Sequence, residues 1–380
     1  MTSVYLFLAH GVLALGMGLV PALVTTFRSD YELSGGQIAN VQNLKDVGLI
    51  TAMLAGPAVL RRIGVAAMTM LALLVGLSGC AVLITAQSLP GLLGGVFLHG
   101  AAFSFGCLAT VSYLFRLSKR YHRISALYAT FGVANFVAPF MVGLLVPVDG
   151  DYRAVYAIFA AALAALVAAG MVLNRSVDAA AVRDADRSSQ HRLTLERLRA
   201  WLPDLSVYAT LMAGETIVVS WVTTLGQYRY GLTLSEASIL LALLWAAHTS
   251  ARLAGDFLVK HMSVAAVVLS GVLLVIIGDV LLCVGSVTTA YVGVLVFAVG
   301  AAPLVPLHQG WTLSRTPVQQ HGPLNASLGV GSAALTTAMV WLTGLTVDID
   351  TRIPFVVSAA CSAGLALWAL RHGIHRTKAS

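Results

Sequence analysis

Twelve runs of about twenty apolar residues follow one another along the chain, and no other feature constrains the fold as tightly. A helix rises about 1.5 Å per residue, so about 20 apolar residues cross the hydrocarbon core of a bilayer. The runs are 3–27, 38–60, 64–86, 90–115, 124–147, 153–173, 204–227, 235–258, 262–286, 288–312, 323–345 and 353–371. Most junctions are short and carry turn residues, such as Ser34-Gly35-Gly36, Leu89-Pro90-Gly91 and Asp149-Gly150-Asp151. Only 174–203 is long and polar, and it divides the runs six and six. The pattern predicts an all-α membrane protein with twelve transmembrane helices in two six-helix bundles. The bundles would span 1–174 and 204–380, the second with a short basic tail, and a cytoplasmic linker would span 175–203.

Composition agrees. Of 380 residues, 58% are hydrophobic and 10% charged, whereas soluble domains carry about 25% charged residues. A net charge of +7 could suggest nucleic acid. The bases instead sit at the ends of apolar runs, which argues for a bilayer and against nucleic acid. Cys80, Cys107, Cys283 and Cys361 all lie within apolar runs without CxxC spacing. They read as small core residues. The N-terminus has neither a basic region nor a cleavage motif, so the first run is expected to stay as a spanning helix.

Basic residues also give the orientation. With the N-terminus in the cytoplasm, Arg28, Arg153, Arg229 and Arg352 fall in outer loops. Lys45 and Arg252 lie inside runs, and the remaining seventeen of the 23 bases fall on the inner side. Losing one helix would scramble this split, so the bias supports the count. The expected location is the bacterial inner (plasma) membrane, with both termini cytoplasmic.

The ends of the second and eighth runs look alike. Gly56 to Gly64 passes from a small residue through apolar positions to Arg61, Arg62 and Gly64. Ala251 to Lys260 passes through Arg252, Gly255 and Asp256 to a base. This is a weak internal repeat, of the kind expected when six-helix halves share a fold. Both segments resemble the G-x-x-x-D-R-x-G loop motif of the major facilitator superfamily. The first copy has Leu60 or Arg61 where the motif has its acid, while the second keeps Asp256. The resemblance implies a gating role for Gly56, Arg61, Arg62, Gly64, Gly255 and Asp256. A further stretch, Glu215 to Asp256, resembles the fucose-permease-like branch through Glu215, Trp221, the 230–235 run, Trp245, Arg252 and Gly255-Asp256. The implied fold is the major facilitator fold. In that fold helices 1, 4, 7 and 10 line a central cavity.

An ionisable residue at the centre of a spanning helix costs about 2.5–3.5 kcal/mol on insertion scales, so each needs a reason. His10, His99, Glu215 and His308 fall one on each implied lining helix. Glu215 is the first candidate: desolvation disfavours a charged carboxyl, which would let it load and release a proton. The alternative is a packing hydrogen bond from a neutral acid. His248 and Arg252 are four apart and share a helix face. Arg252 either holds an anionic group or pairs with Asp256, and His248 either touches solute or is satisfied in the core. Lys45 and Asp46 are neighbours about 100° apart around the helix, which argues against one salt bridge between them. With Asn40, Gln42 and Asn43 they make this half-helix a candidate lining surface. Trp221, Trp245, Gln309, Asn135, Tyr113 and Asn325 are further candidates, with helix packing as the alternative for each. Asp279, on an outer helix, reads as structural. Pro21, Pro57, Pro139, Pro303 and Pro306 mark possible bends.

These features favour a secondary transporter moving a small polar or anionic organic solute by alternating access, with a proton as the expected coupling ion. Export of a drug or metabolite, including a siderophore-like carboxylate, is the alternative. Metal-ion transport through a His/Glu cavity is a lesser one, because the histidines lie at different depths. No GxxxxGK[ST], HExxH or GxSxG sequence occurs, so neither a nucleotide cofactor nor enzymatic chemistry is expected. Expected partners are the solute, the proton and the bilayer, with the chain acting as a monomer.

Overall fold

A computed structural model describes residues 2–114, 124–149, 151–173, 195–317 and 320–372. They form helices α1 (Thr2–Ala22), α2 (Val24–Asp30), α3 (Gly35–Thr85), α4 (Leu89–Leu114), α5 (Ile124–Asp149), α6 (Arg153–Leu173) and α7 (Leu195–Tyr230). There follow α8 (Leu234–His261), α9 (Val264–Val284), α10 (Val287–Ala301), α11 (Leu304–Ser314), α12 (His321–Thr346) and α13 (Ile353–His372). Among the described residues, ten segments are long and apolar enough to cross a bilayer. One of them is the double-length α3, which holds two runs, and α13 supplies a shorter apolar segment. Twelve membrane helices result, as the run pattern predicts.

Local chemistry sets the departures from uninterrupted runs. The first run breaks at Leu23, just after Pro21; the Leu23 N–H is shared between the carbonyls of Leu19 and Val20. Proline has no N–H and crowds the carbonyl four residues earlier. The tenth run breaks between α10 and α11, where Pro303 is the N-cap of the second piece. α3 turns at Gly64, with φ 79° and ψ 174°, a combination essentially confined to glycine. The seventh run begins earlier than expected. Residues 195–203 are helical, and Trp201 packs against Leu324 and Leu328. The rest of the linker, with the basic stretches at 115–123 and 373–380, lies outside the described residues.

The chain forms two compact units: Met1–Leu33 with Asn40–Gln190, and Ser34–Ala39 with His191–Ser380. In the first, α1 packs against α4, α5 and α6. In the second, α7 packs against α8, α12 and α13, and α9 against α10 and α13. Glycines let backbones approach closely. A Cβ at Gly100 would collide with the Lys45 carbonyl, and one at Gly48 with the Phe97 carbonyl. On α9 and α10, Gly271, Gly278, Gly293 and Gly300 do the same at seven-residue spacing.

A duplication runs through the turns. Tyr31-Glu32-Leu33-Ser34 and Tyr230-Gly231-Leu232-Thr233 stand 199 positions apart. Each closes a helix with a residue of positive φ, Glu32 at 52° and Gly231 at 66°. Each then opens the next helix with a reciprocal cap. The Ser34 N–H donates to Gln37 Oε1 and the Gln37 N–H to Ser34 Oγ; Thr233 and Glu236 repeat the exchange. Such capping boxes satisfy backbone N–H groups that the first helical turn leaves open. Asp151 and Asp350, also 199 apart, each accept the backbone N–H two residues on and pair with the arginine there, Arg153 or Arg352. The Tyr31 hydroxyl donates to the Ala86 carbonyl and the Tyr230 hydroxyl to that of Leu282, closing the ends of α3 and α9. Arg153 adds bonds to the Ile84 and Ala86 carbonyls, and Arg229 one to Cys283. A cation there also suits the negative end of the helix dipole.

Candidate functional site

Charged and aromatic side chains converge on α7 and α8 of the second unit. Glu215 Oε1 lies 3.3 Å from His248 Nε2, with the His248 side chain 1% and the Glu215 side chain 10% exposed. The contact is at ion-pair distance without hydrogen-bond alignment, and Glu215 Oε2 has no hydrogen-bond partner among the described residues. Trp245, three residues before His248 and so on the same face, meets the imidazole edge-on at 5.4 Å between ring centres. Arg252 lies one turn beyond His248 on the same face of α8. Its Nε donates to the Ala302 carbonyl at 3.4 Å. Proline at 306 explains that acceptor: Ala302 would ordinarily bond the N–H four residues on, which Pro306 lacks. Arg252 therefore ties α8 to the break in the tenth run. The surroundings of Gly255 and the side chain of Asp256 lie outside what the structure describes.

In the first unit, Lys45 and Asp46 lie on α3. Lys45 Nζ is 3.7 Å from Asp46 Oδ1, with both side chains largely buried. This corrects the expectation from helix geometry. The 100° separation applies to the Cβ directions, and the flexible lysine stem lets its ammonium reach back to its neighbour. Asn43 Oδ1 nearby has no hydrogen-bond partner among the described residues.

The other candidates are taken up locally. His99 is wedged among Cys80, Tyr156 and Phe159, with Gly16 and Gly79 too close to accept a Cβ. His10 lies against the ring of Phe103. Asn135 donates to the Phe131 carbonyl in its own helix, beside Gly18. Trp221 is buried, and its Nε1 donates to Thr343 Oγ1 at 2.9 Å, joining α7 to α12. His308 Nε2 lies 3.0 Å from the Asp204 carbonyl, and Gln309 donates to Asn325 at 3.2 Å. Gly56 packs against Leu108, while Arg61 and Arg62 are exposed. Among the described residues, no three His, Cys, Asp or Glu side chains converge as metal ligands.

Three features escaped the reading of apolar runs. Arg315 bonds Asp204 at 3.0 Å and stacks over Trp311 at 3.3 Å from the ring centre, beside His308. The Ala302 carbonyl, partner of Arg252, was signalled by the proline four residues later. The duplicated turns were signalled by the constant 199-residue offset, which also relates Gly56 to Gly255.

A sequence profile of the Major Facilitator Superfamily matches residues 6–264. No curated protein sequence matches the chain significantly. Solved structures resemble it over nearly its full length. The nucleoside transporter NupG has a TM-score of 0.78 at 13% identity, covering 98% of this chain and 99% of that one. A POT family transporter in complex with 5-aminolevulinic acid has a TM-score of 0.80 at 12% identity, covering 99% and 97%. A D-xylose–proton symporter has a TM-score of 0.75 at 11% identity, covering 97% and 96%. At these identities the likeness is one of fold.

Proposed function

Because the chain belongs to the Major Facilitator Superfamily, we propose that it is a secondary transporter of a small polar or anionic organic solute, coupled to protons. The contact between Glu215 and His248 carries this reading. An acid and an imidazole at one depth, nearly closed off from water, can exchange a proton between an oxygen and a nitrogen without separating full charges far. Arg252 adds a permanent positive charge. It would attract a solute anion when Glu215 is neutral and be compensated by Glu215 when it is ionised. Loading of solute and loading of the proton are thereby linked through one carboxyl.

The aromatic face of Trp245 offers a flat apolar surface beside these charges, suited to the ring or sugar face of a polar solute. A proton symporter among the proteins of like fold supports proton coupling in principle. Lys45 and Asp46 on α3 are a second charged pair through which the first unit would respond to solute. The chain works as a monomer in a cell inner membrane, opening its site to one side at a time.

The test begins with a thermal-stability screen of the purified protein against nucleosides, sugars, carboxylates and short peptides at two pH values. Compounds that stabilise it go into counterflow and pH-gradient-driven uptake assays in proteoliposomes. The expected result is saturable transport in both, with Glu215→Gln retaining counterflow and losing uptake driven by the gradient. Undiminished gradient-driven uptake in Glu215→Gln would remove the carboxyl from the coupling mechanism. Ohmic conductance would replace the carrier with a channel.

A further inference from the structure

The duplication allows the two units to be compared position by position. In the first unit, the His99 ring is held between Gly16, Cys80 and Phe159. Shifting by 199 places Ala298, Glu215, Asp279 and Ser358 at the equivalent positions. The helix ends keep this register, since α3 closes at Thr85 and α9 at Val284. Where the first unit inserts an imidazole from its fourth run, the second has a methyl group. Where the first has a thiol and a phenyl ring, the second has a carboxyl and a hydroxyl.

Asp279 is 1% exposed, and neither carboxyl oxygen has a hydrogen-bond partner among the described residues. Among those residues it has no salt-bridge partner either. Ser358 on α13 presents its hydroxyl toward this carboxyl, and that hydroxyl also donates to the Gly214 carbonyl on α7 at 3.3 Å. Gly214 directly precedes Glu215. The titratable groups facing Asp279 are the thiols of Cys283 on α9 and Cys361 on α13. From α10, Phe297 and Gly293 pack against α9 at Gly278, beside the acid. The Glu215 carboxyl turns toward His248 on α8.

We propose that Asp279 is a second proton-binding site of the second unit, read by α7 through Ser358. The hydroxyl of Ser358 has one proton and two acceptors within reach. When Asp279 holds a proton taken from water, its O–H donates to Ser358 Oγ, and Ser358 keeps its bond to the Gly214 carbonyl. When the proton leaves, the Ser358 O–H turns to the Asp279 carboxylate, and the Gly214 carbonyl keeps only the helical N–H four residues on. The state of an acid on an outer helix is thus registered one residue from Glu215. An intramembrane acid without a counter-charge is costly to keep, and this relay gives it a use. The site itself stands apart from the reading of Glu215 as coupling acid; only the consequence of the relay for transport rests on that reading.

Infrared difference spectra of the purified full-length protein between acidic and alkaline pH test the proposal, together with proton uptake measured by an indicator dye. The wild type should show a titrating carboxyl signal that Asp279→Asn abolishes, with one fewer proton bound per molecule. Glu215→Gln should leave that signal in place, so failure of the Glu215 reading would not be mistaken for failure here. Ser358→Ala, which removes only a hydroxyl, should keep the Asp279 signal but shift its frequency, because the proposed partner of the carboxyl is gone. If Asp279→Asn leaves spectrum and proton count unchanged, Asp279 does not bind the proton. If Ser358→Ala leaves the frequency unchanged, the relay falls, and that measurement decides the matter even where the Asp279 variant does not fold.

Discussion

His248 Nε2 stands 3.3 Å from Glu215 Oε1, across the boundary between α7 and α8, with only a tenth or less of either side chain exposed. Whatever state one partner adopts is felt by the other. Replacing His248 by alanine leaves a buried acid without its neighbour, and an unsatisfied buried polar group costs about 1–3 kcal/mol. The expected result is a lower melting temperature in detergent. If the contact also couples proton to solute, losing about 1.4 kcal/mol of that coupling is a tenfold change in its equilibrium constant, and gradient-driven uptake should fall by about tenfold in proteoliposomes. His248→Gln should recover the melting temperature in part and the pH response not at all. Wild-type pH dependence in His248→Ala would separate the imidazole from coupling.

The bond from Trp221 to Thr343 joins α7 to α12 in a fully buried position. Trp221→Phe should cost about 1 kcal/mol, the usual net worth of one hydrogen bond, and leave transport affinity as it was. Thr343→Val should cost a similar amount. Melting the two single variants and the double variant gives the coupling energy directly. Simple additivity would show that the bond contributes nothing.

Glycines at 278 and 300 hold α9 and α10 together. A Cβ at Gly300 would lie 2.6 Å from the Gly271 carbonyl oxygen, and one at Gly278 would lie 2.6 Å from the Phe297 backbone nitrogen. Backbone cannot step aside as a side-chain tip can. Overpacking of this kind costs about 1–3 kcal/mol, so either alanine variant should melt earlier. Gly310→Ala is the control, because nothing lies within 4 Å of the added methyl. Equal melting temperatures for all three would contradict the close packing.

Asp350 sits in the turn between α12 and α13, outside the spanning segments. Hydrogen bonds from the Arg352 side chain and backbone hold its carboxyl down to about 2, from an ordinary 3.8. A depressed carboxylate contributes stability that is complete above its unfolded value and disappears as pH falls through the folded one. The turn should therefore keep its order from neutral pH to about 4 and loosen toward pH 2. The group is solvent-exposed, so the effect is confined to the turn and small. Hydrogen exchange of the Arg352 amide, which donates to Asp350 Oδ1, should accelerate over that window beyond its intrinsic pH trend. In Asp350→Asn the extra acceleration should vanish.

Apolar length was enough to place the helices. The run 153–173 coincides with α6, and the third run stops within a residue of Thr85. A spanning helix must be long and apolar on every side, and that signal needs no knowledge of neighbours. The breaks inside runs were less visible, because proline announces a possible bend without saying whether the chain takes it. Pro57 lies within continuous helix, whereas Pro303 caps a new one.

Candidate site residues were legible as costly residues but not as partners. Run number identifies the helix, while rotation about the axis decides what a side chain meets. His99 and Glu215 both lie on implied lining helices, yet the first is wedged among aromatic rings and the second meets His248. The duplication went largely unread for a related reason. Its repeated letters are tyrosines, caps and Asp-x-Arg pairs in turns, scattered between apolar stretches that look alike everywhere.

Gly64 shortens the connection between the second and third runs to a single reversed residue. A link of that kind has no backlash. A longer loop would absorb a tilt of one helix before the other felt it, as a slack coupling does between two shafts. Here one residue joins the second run to the third, which leaves little slack for one to tilt without the other.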